Sequence, residues 1–400
     1  MRLAVVSPFV DRRHGTERAL AELLDRLAHT YQCEIHLYAN RVEDLRVSNP
    51  GDVLSPGTGG IFWHKVPSVS GPHLLKFFCW FYLNRLWRRA RHASFDLVLS
   101  PGINCSDADV VIVHALFHRL RELSQEKTAP SALKTGMLSR IHRRAYYSLL
   151  TGWERRIYTG QGVSLAAVSQ RTARLLADHF HRQDVRVIPN AVDSAQFSTA
   201  GRLSRRPDAR LRRNFRDGDF VLLLIGNDWA NKGLSTILEA LPRLVDTPVK
   251  LLIVGDDDVA FWRSLAERLG VLDRCNWEVA CADILDAYSA ADVYVSPSRE
   301  DSFGMPVAEA MACGLPVITS VFAGVSAMFR DGIDGFALQE PRDAETLAKL
   351  IRMLFEHKEL RSRIGEAAAK AALEWTWDRN AEMVWDFLKE VSAKKHSSRA

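Results

Sequence analysis

The feature that most constrains the fold is an alternation of short, continuously apolar segments with amphipathic helical segments. The apolar segments lack polar alternation, so a strand formed by any of them must be buried on both faces. Segments whose apolar residues recur at helical spacing lie between them, as in GTERALAELLDRLAH. The pattern predicts an α/β fold of parallel sheets covered by helices on both faces. The predicted strands are RLAVVSP, EIHLYA, DLVLSPG, DVVIVHA, VSLAAVS and VRVIPN in the first half, and DFVLLLIG, VKLLIVG, CNWEV, DVYVSPS, LPVITS and GFALQ in the second.

The length of 400 residues is too great for one ordinary hydrophobic core and indicates two domains. Residues 199–214, TAGRLSRRPDARLRRN, are polar, basic and without an apolar face, which predicts a linker. An N-terminal domain at 1–198 and a C-terminal domain at 215–375 follow, with a helix at 376–393 that packs back on the N-terminal domain. The expected architecture is two doubly wound, Rossmann-like domains that face each other across a cleft.

Composition and charge narrow the class of protein. The chain is 47% hydrophobic and 25% charged, as in soluble globular proteins, and no apolar run approaches the length of a membrane-spanning helix. Six cysteines without paired spacing predict reduced thiols in a cytoplasmic protein, and MRLAVVSPFVDRR is typical of a first strand rather than a signal peptide. Residues 1–200 carry a net charge of +9 and the remainder −4. The basic half favours an anionic surface or substrate.

Two loops that follow predicted strands have the composition of anion-binding loops. Gly15 permits close approach of the backbone and Thr16 can cap the next helix, although an ordinary capped turn explains both residues equally. Lys232 precedes Gly233 at a strand-to-helix turn, where it could neutralise phosphate charge or could simply be exposed. The three spaced glycines of a dinucleotide site are missing, which disfavours a Rossmann dehydrogenase.

The stretch SREDSFGMPVAEAMACG, residues 298–314, combines a buried strand end, a glycine loop and a helix start with proline. Asp301 lies in the loop and could accept hydrogen bonds from sugar hydroxyls. Glu309 is placed about two turns into the helix, roughly 10 Å along its axis, where it could meet a ribose diol. Free amides between the two carboxylates could hold a diphosphate. This order of groups matches a nucleotide sugar.

The same stretch resembles the signature of the GT-B retaining glycosyltransferases of family 4 (glycosyl transferases group 1), PS-x-x-E-x-FG-x-x-x-x-EAMA-x-G-x-PV. Other features match in order: the glycine loop after the first strand, VIPNAVDSAQF, a strand followed by Lys-Gly, and AADVYVSPS. The resemblance covers nearly the whole chain, most strongly residues 219–340. IGNDWANKG and LLIVGDDD are similar to lipopolysaccharide-core glucosyltransferases.

The resemblance implies a retaining hexosyltransferase that moves a hexose from a nucleoside-diphosphate sugar, a UDP-sugar, to a glycan or lipid-linked acceptor in cell-envelope polysaccharide or lipopolysaccharide biosynthesis. It implies catalytic roles for Lys232, Asp301 and His114, the last near the donor sugar. The acceptor would attack from the leaving-group face and a phosphate oxygen would take its proton, so no cofactor and no metal are expected. The implied donor-binding residues are Gly15, Asn231, Phe303, Gly304, Met305 and Glu309.

Three departures from the family pattern bear on donor binding. Asp301 replaces the first glutamate, and His14 replaces the first of two glycines before the first helix. Asn227 and Asn231 stand where the family often has an arginine before its lysine. Either donor binding is weaker, or another basic residue compensates.

Residues 256–258 are three consecutive aspartates, and Asp-x-Asp chelates the metal of GT-A glycosyltransferases. Here the run follows a strand of the second half, where adjacent acids are more often solvated or cap the next helix. We therefore predict no metal site there.

Two aromatic and basic stretches in the first half, residues 73–92 and 138–160, are typical of interfacial helices. They predict peripheral binding to an anionic membrane, at the inner face of the cytoplasmic membrane, and no nucleic-acid partner. The alternative is that the aromatic residues are core and the arginines a solvated rim. The cations of the first stretch are Lys76, Arg85, Arg88, Arg89 and Arg91.

The sequence is also consistent with two other classes of protein. A sugar-nucleotide 2-epimerase shares the fold and the nucleotide site, and would need further acid–base carboxylates near the sugar. A non-catalytic binding protein or partner subunit is the other class, and the Asn231 departure is its best support.

Overall fold

The computed structural model describes residues 1–12, 15–49, 59–71, 73–89, 94–125, 137–279 and 283–397, with residues 73, 74 and 137–143 described by their backbone alone. The chain forms two compact units. The first comprises Met1–Asn190 with Trp377–Ala400, and the second Ala191–Thr376. Each has its own sheet and its own hydrophobic core.

The main sheet of the first unit has the strand order β5-β3-β1-β6-β7-β8-β9, and all its neighbouring strands are parallel. Strands β2 and β4 of this unit form a separate parallel pair. The strands of the unit are β1 (Arg2–Val6), β2 (Phe9–Val10), β3 (Glu34–Ala39), β4 (Arg41–Val42), β5 (Gly60–Lys65), β6 (Leu97–Pro101), β7 (Val110–Val113), β8 (Ser164–Ala167) and β9 (Arg186–Val187). Its helices are α1 (Gly15–His29), α2 (His73–Arg89), α3 (Phe117–Gln125), α4 (Met137–Tyr158), α5 (Gln170–Phe180) and α13 (Trp377–Ser397).

The sheet of the second unit has the order β12-β11-β10-β13-β14-β15 and is also parallel throughout. Its strands are β10 (Phe220–Ile225), β11 (Val249–Val254), β12 (Cys275–Glu278), β13 (Val293–Val295), β14 (Val317–Ser320) and β15 (Phe336–Leu338). Its helices are α6 (Thr199–Arg212), α7 (Leu234–Ala240), α8 (Val259–Arg268), α9 (Leu285–Ala290), α10 (Met305–Ala312), α11 (Ala344–Glu356) and α12 (Lys358–Ala372).

Each predicted strand segment contains a strand, and both main sheets are parallel, which confirms the predicted fold class. The reason is visible in β7 and β11, whose residues are almost all buried because helices cover both faces of the sheets. Strand β5, GIFWHK, was not predicted, because it lacks a continuous β-branched run.

The prediction of a linker at 199–214 is wrong, because residues 199–212 form helix α6. Ser198 caps this helix by accepting a hydrogen bond from the Gly201 amide. The helix has little apolar surface because it packs through charge: Arg206 and Arg210 both bind Asp292 beyond the end of α9. The chain instead passes between the units at residues 190–191 and 376–377.

The last helix, α13, belongs to the first unit. Trp385 of this helix stacks on Tyr31 with ring centroids 5.2 Å apart, and Lys395 lies 2.8 Å from Asp109. No helix among the described residues is both long and apolar enough to span a bilayer. The five described cysteines are free thiols, and Cys281 lies outside the described residues.

Candidate functional site

The second sheet changes its direction of growth between β10 and β13. From β10 the chain builds outward to β11 and β12, and from β13 it builds the other way to β14 and β15. Open parallel sheets bind ligands at such a point, beyond the carboxyl ends of the strands. Lys232 lies in the loop after β10 and Asp301 in the loop after β13, and these strands are direct neighbours. The topology therefore brings together two predicted residues that are 69 positions apart.

Glycines allow these two loops to touch. Gly233 has φ +82°, and a Cβ at this position would lie 2.3 Å from the carbonyl oxygen of Pro297 at the end of the β13 segment. Gly226, with φ +148°, leaves room for the side chain of Lys232, whose Cε would be 2.9 Å from an added Cβ. No other residue type fits these positions without moving the backbone or the lysine.

Lys232 and Asp301 form an ion pair, with Nζ 2.5 Å from Oδ2. The two side chains are only 17% and 16% exposed, so water screens their attraction weakly. Asn231 joins the same loops through its backbone and side chain: its carbonyl accepts from the Arg299 amide at 2.7 Å, and its Nδ2 donates to the Glu300 carbonyl at 2.7 Å. Its Oδ1 is buried and accepts no hydrogen bond from the described residues.

Helix α10 begins directly after the Asp301 loop. Gly304 has φ +97° and forms its N-cap, and its carbonyl accepts from Val307 at 3.0 Å. The amides of Phe303, Gly304 and Met305 donate to no acceptor within the described part of the chain. Three consecutive free amides at the positive end of a helix can hold an anion. The predicted donor-binding residues 303–305 thus provide backbone donors next to the Lys232–Asp301 pair.

Glu309 lies about one turn into α10, not two, because the helix starts at Met305; the rise along the axis is therefore about 6 Å rather than 10 Å. Its side chain is 3% exposed, and its Oε2 accepts from the hydroxyl of Tyr288 at 2.7 Å. Burial raises the pKa of Tyr288 well above its usual value, which keeps that hydroxyl a donor. No local pattern pointed to Tyr288, because its partner is 21 residues away on another helix.

Gly15 and His114 lie in the first unit. Gly15 is the exposed first residue of α1, while the neighbouring His14 lies outside the described residues. His114 follows β7, and burial lowers its pKa to about 4, so the imidazole is neutral at physiological pH. Its side chain lines a cavity of about 20 Å³ together with Asn190 and Asn380, the latter from α13. A cavity of this size holds about one water molecule.

Two of the three acids at 256–258 accept hydrogen bonds from backbone amides, and one of them has the predicted capping role. Asp258 caps α8 by accepting from the Phe261 amide, and Asp257 accepts from the Trp229 amide at 2.7 Å. Asn227 accepts from the Asp256 amide at 3.0 Å. Among the described residues there is no cluster of three or more histidine, cysteine, aspartate or glutamate side chains suited to a metal ion.

The two basic and aromatic stretches differ in structure. In α4, Trp153 and Tyr158 are buried and Arg155 and Arg156 exposed, which is the core-and-rim alternative. In α2, Trp80 and Phe81 are buried, but other large apolar residues face outward at helical spacing: Leu75, Phe78, Tyr82 and Leu86.

The assignment of Arg88 to a cationic face of α2 is wrong. Its side chain is 6% exposed and donates to Asp107 at 2.6 Å and to Asn84 at 3.2 Å. Arg91 lies outside the described residues, so Lys76 and Arg89 are the exposed cations of the described helix.

Comparison with protein families gives matches in both units. A model described as Glycosyltransferase Family 4 matches residues 13–196, and one described as Glycosyl transferases group 1 matches residues 206–371. Between them they account for most of the chain. The chain belongs to the group 1 glycosyltransferase family. Phosphatidyl-myo-inositol mannosyltransferase of Mycobacterium tuberculosis is 34% identical over 211 residues, which are 51% of this chain and 54% of that protein. The chain spans about half the length of the curated relatives it matches.

Solved structures of low sequence identity share the fold of this chain. The lipopolysaccharide-biosynthesis glycosyltransferase WaaG superposes with a TM-score of 0.76 at 20% identity, covering 96% of this chain and 99% of WaaG. HepE from Anabaena, solved with UDP and glucose, superposes with a TM-score of 0.67 at 18% identity, covering 97% and 99%. These likenesses establish the GT-B fold.

Proposed function

We propose that this protein is a retaining glycosyltransferase that moves a hexose from a UDP-sugar to a glycan or lipid-linked acceptor in cell-envelope polysaccharide or lipopolysaccharide biosynthesis. The observation that carries the proposal is the Lys232–Asp301 pair beside three free amides, at the point where the second sheet changes direction. Family membership supports the reaction class, and the UDP-bound relative supports the donor base.

The reaction breaks the bond between the anomeric carbon and the diphosphate oxygen, and the nucleoside diphosphate leaves with the electron pair. Negative charge grows on the phosphates at that moment. Lys232 and the amides of residues 303–305 are the groups proposed to stabilise this charge. The acceptor hydroxyl attacks from the same face, and its proton passes to a phosphate oxygen. The chain then needs no nucleophile of its own.

Asp301 has two proposed roles. Without a ligand it neutralises Lys232. With a diphosphate bound, the ammonium group gains a second anionic partner, and the carboxylate can accept hydrogen bonds from sugar hydroxyls. Glu309 would bind the ribose diol, and His114, neutral because of its low pKa, would act as an uncharged hydrogen-bonding group toward the donor sugar.

The test is hydrolysis and transfer with a panel of UDP-, GDP- and ADP-hexoses, run in EDTA. We expect turnover with a UDP-hexose, retention of the anomeric configuration, and no requirement for metal. Lys232→Met should lower turnover about a hundredfold, whereas Lys349→Met should leave it unchanged, since Lys349 is 71% exposed in a surface pair on α11. Acceptor-free epimer formation would indicate a 2-epimerase, and donor binding without turnover a non-catalytic subunit. Activity restored only by Mn²⁺ would overturn the metal-independent mechanism.

A second proposal concerns location at the inner face of the cytoplasmic membrane. The outward apolar residues of α2 lie on one helical face with spacings of three and four residues, and Lys76 and Arg89 are exposed beside them. Such a face inserts shallowly into a bilayer interface, and its cations are attracted to anionic lipid by about 1 kcal/mol each.

Liposome co-sedimentation tests this location. Binding to anionic vesicles is expected to weaken with salt, and Phe78→Gln with Leu86→Gln should abolish it. The matched control is Leu203→Gln with Leu211→Gln, which removes two leucines of α6 in the second unit that are at least as exposed as Phe78 and Leu86, respectively. Equal binding of both double variants would show that α2 is not the membrane surface.

A further inference from the structure

Glu154 is a fully buried carboxylate in α4 that contacts another helix rather than its own. It is 0% exposed. Its Oε1 accepts from the Phe117 amide at 2.5 Å, and its Oε2 accepts from the His118 amide at 2.9 Å and lies 2.7 Å from His118 Nδ1. Phe117 is the first residue of α3. The first amides of a helix have no acceptor within that helix, and Glu154 supplies acceptors for those of α3.

The start of α3 is connected to His114 by a two-residue segment, in which Ala115 is exposed and Leu116 is buried. Only Ala115 and Leu116 separate His114 from Phe117. Leu116 is 3% exposed in the same core cluster as Leu150 of α4, and its carbonyl accepts from the Leu120 amide at 3.1 Å. Because Leu116 is held in the core beside α4, we expect a shift of the first turn of α3 to displace the backbone that carries the imidazole.

We propose that Glu154 is a positioning residue, which fixes the first turn of α3 and thereby the orientation of His114. The structural part stands on these contacts alone. The kinetic part rests on the proposed function, in which His114 serves the donor sugar.

The surroundings of Glu154 make the burial of its carboxyl group energetically costly. Burial raises the pKa of Glu154 to about 7, although the two amides favour its ionised form. Burial also lowers the pKa of His118, and His179 of α5 and Arg155 of α4 lower it further. A neutral residue at this position would avoid the cost of burying a carboxyl group, but would not hold both amides.

The test compares Glu154→Gln with Thr151→Ala. Thr151 is a matched control, because it is 4% exposed one turn earlier in α4 and, among the described residues, its hydroxyl bonds only to carbonyls of its own helix. A glutamine can accept one amide but not both. In Glu154→Gln we expect hydrogen exchange at Phe117 and His118 to accelerate about tenfold or more, and the imidazole resonances of His114 to shift. Thr151→Ala should change neither.

The kinetic measurement distinguishes a positioning role of Glu154 from a general loss of structure. Glu154→Gln is expected to lower kcat about tenfold or more while the donor Kd, measured by calorimetry, stays within about twofold. His118→Ala removes one of the three donors and should give a smaller effect in the same direction; it also keeps the test valid if Glu154→Gln does not fold. Unchanged amide exchange and His114 resonances in these variants would overturn the inference. Absence of turnover in the unaltered protein would refute the proposed function, while exchange and resonances would still decide the role of Glu154.

Discussion

Replacing Lys232 with methionine tests whether its ion pair serves stability, chemistry or both. Methionine keeps the length of the side chain and removes the charge, leaving Asp301 16% exposed without its cation. Breaking an exposed pair costs about 0–1 kcal/mol and breaking a buried one about 3–5. This pair lies between those limits, so we expect a loss of about 2 kcal/mol. For a domain of this size that lowers the Tm of the second unit by about 4–8 °C.

The double variant Lys232→Met with Asp301→Asn separates the two roles. It removes both charges and leaves no unpaired carboxylate, so most of the lost stability should return. Activity should not return, because the charge that develops on the diphosphate has lost its cation. We expect kcat to fall about a hundredfold, or roughly 3 kcal/mol, in both the single and the double variant.

Calorimetry and steady-state kinetics on the three proteins measure these effects. A rise in KM at unchanged kcat would mean that Lys232 binds ground-state phosphate and does not act on the transition state. Recovery of activity together with stability in the double variant would refute the proposed chemistry, since a structural pair would then explain the whole effect.

Three further predictions follow from particular contacts. Gly233→Ala should destabilise by about 3 kcal/mol or more, since it combines φ +82° with a Cβ 2.3 Å from the Pro297 carbonyl, whereas Gly218→Ala, with open space around its Cβ, should change the free energy of unfolding little. Glu309→Ala should weaken nucleotide-sugar binding about tenfold or more (~1.4 kcal/mol), and Tyr288→Phe much less; equal losses by calorimetry would indicate that Glu309 acts only through packing. Glu154 has a pKa of about 7 when folded and 4.5 as a free side chain, so its proton stabilises the fold fully below pH 4.5 and this contribution is lost as pH rises through 7. Denaturant unfolding should show the wild type losing up to about 3 kcal/mol relative to Glu154→Gln over that window, and a flat difference would mean that the amide donors outweigh burial.

Several features of the site could be predicted from the sequence because they are local. Gly226, Gly233 and Gly304 each occupy a strand-to-helix turn, and all three have positive φ in the structure. The order strand, loop, helix around Asp301 also follows from adjacent residues. The depth of Glu309 in its helix was overestimated, because four residues from Met305 amount to about one turn rather than two.

Local sequence patterns were sufficient to predict the α/β class, the parallel sheets and the loops that carry Lys232 and Asp301. Continuous apolar runs and glycine turns act over a few residues, so no distant partner is needed to interpret them. Whether the charged residues are buried or exposed depends on the tertiary structure. Arg88 is buried because Asp107 lies opposite it, and Glu154 is buried because α3 presents its amides there.

Helix α6 is the clearest case of the same rule. Its arginines have the composition of a solvated linker, yet Arg206 and Arg210 pack against Asp292, 86 and 82 positions away. Whether a charged side chain faces water or the interior depends on whether the fold supplies a counter-charge at hydrogen-bonding distance. That distance is set by the packing of elements far apart in the chain, which no local pattern records.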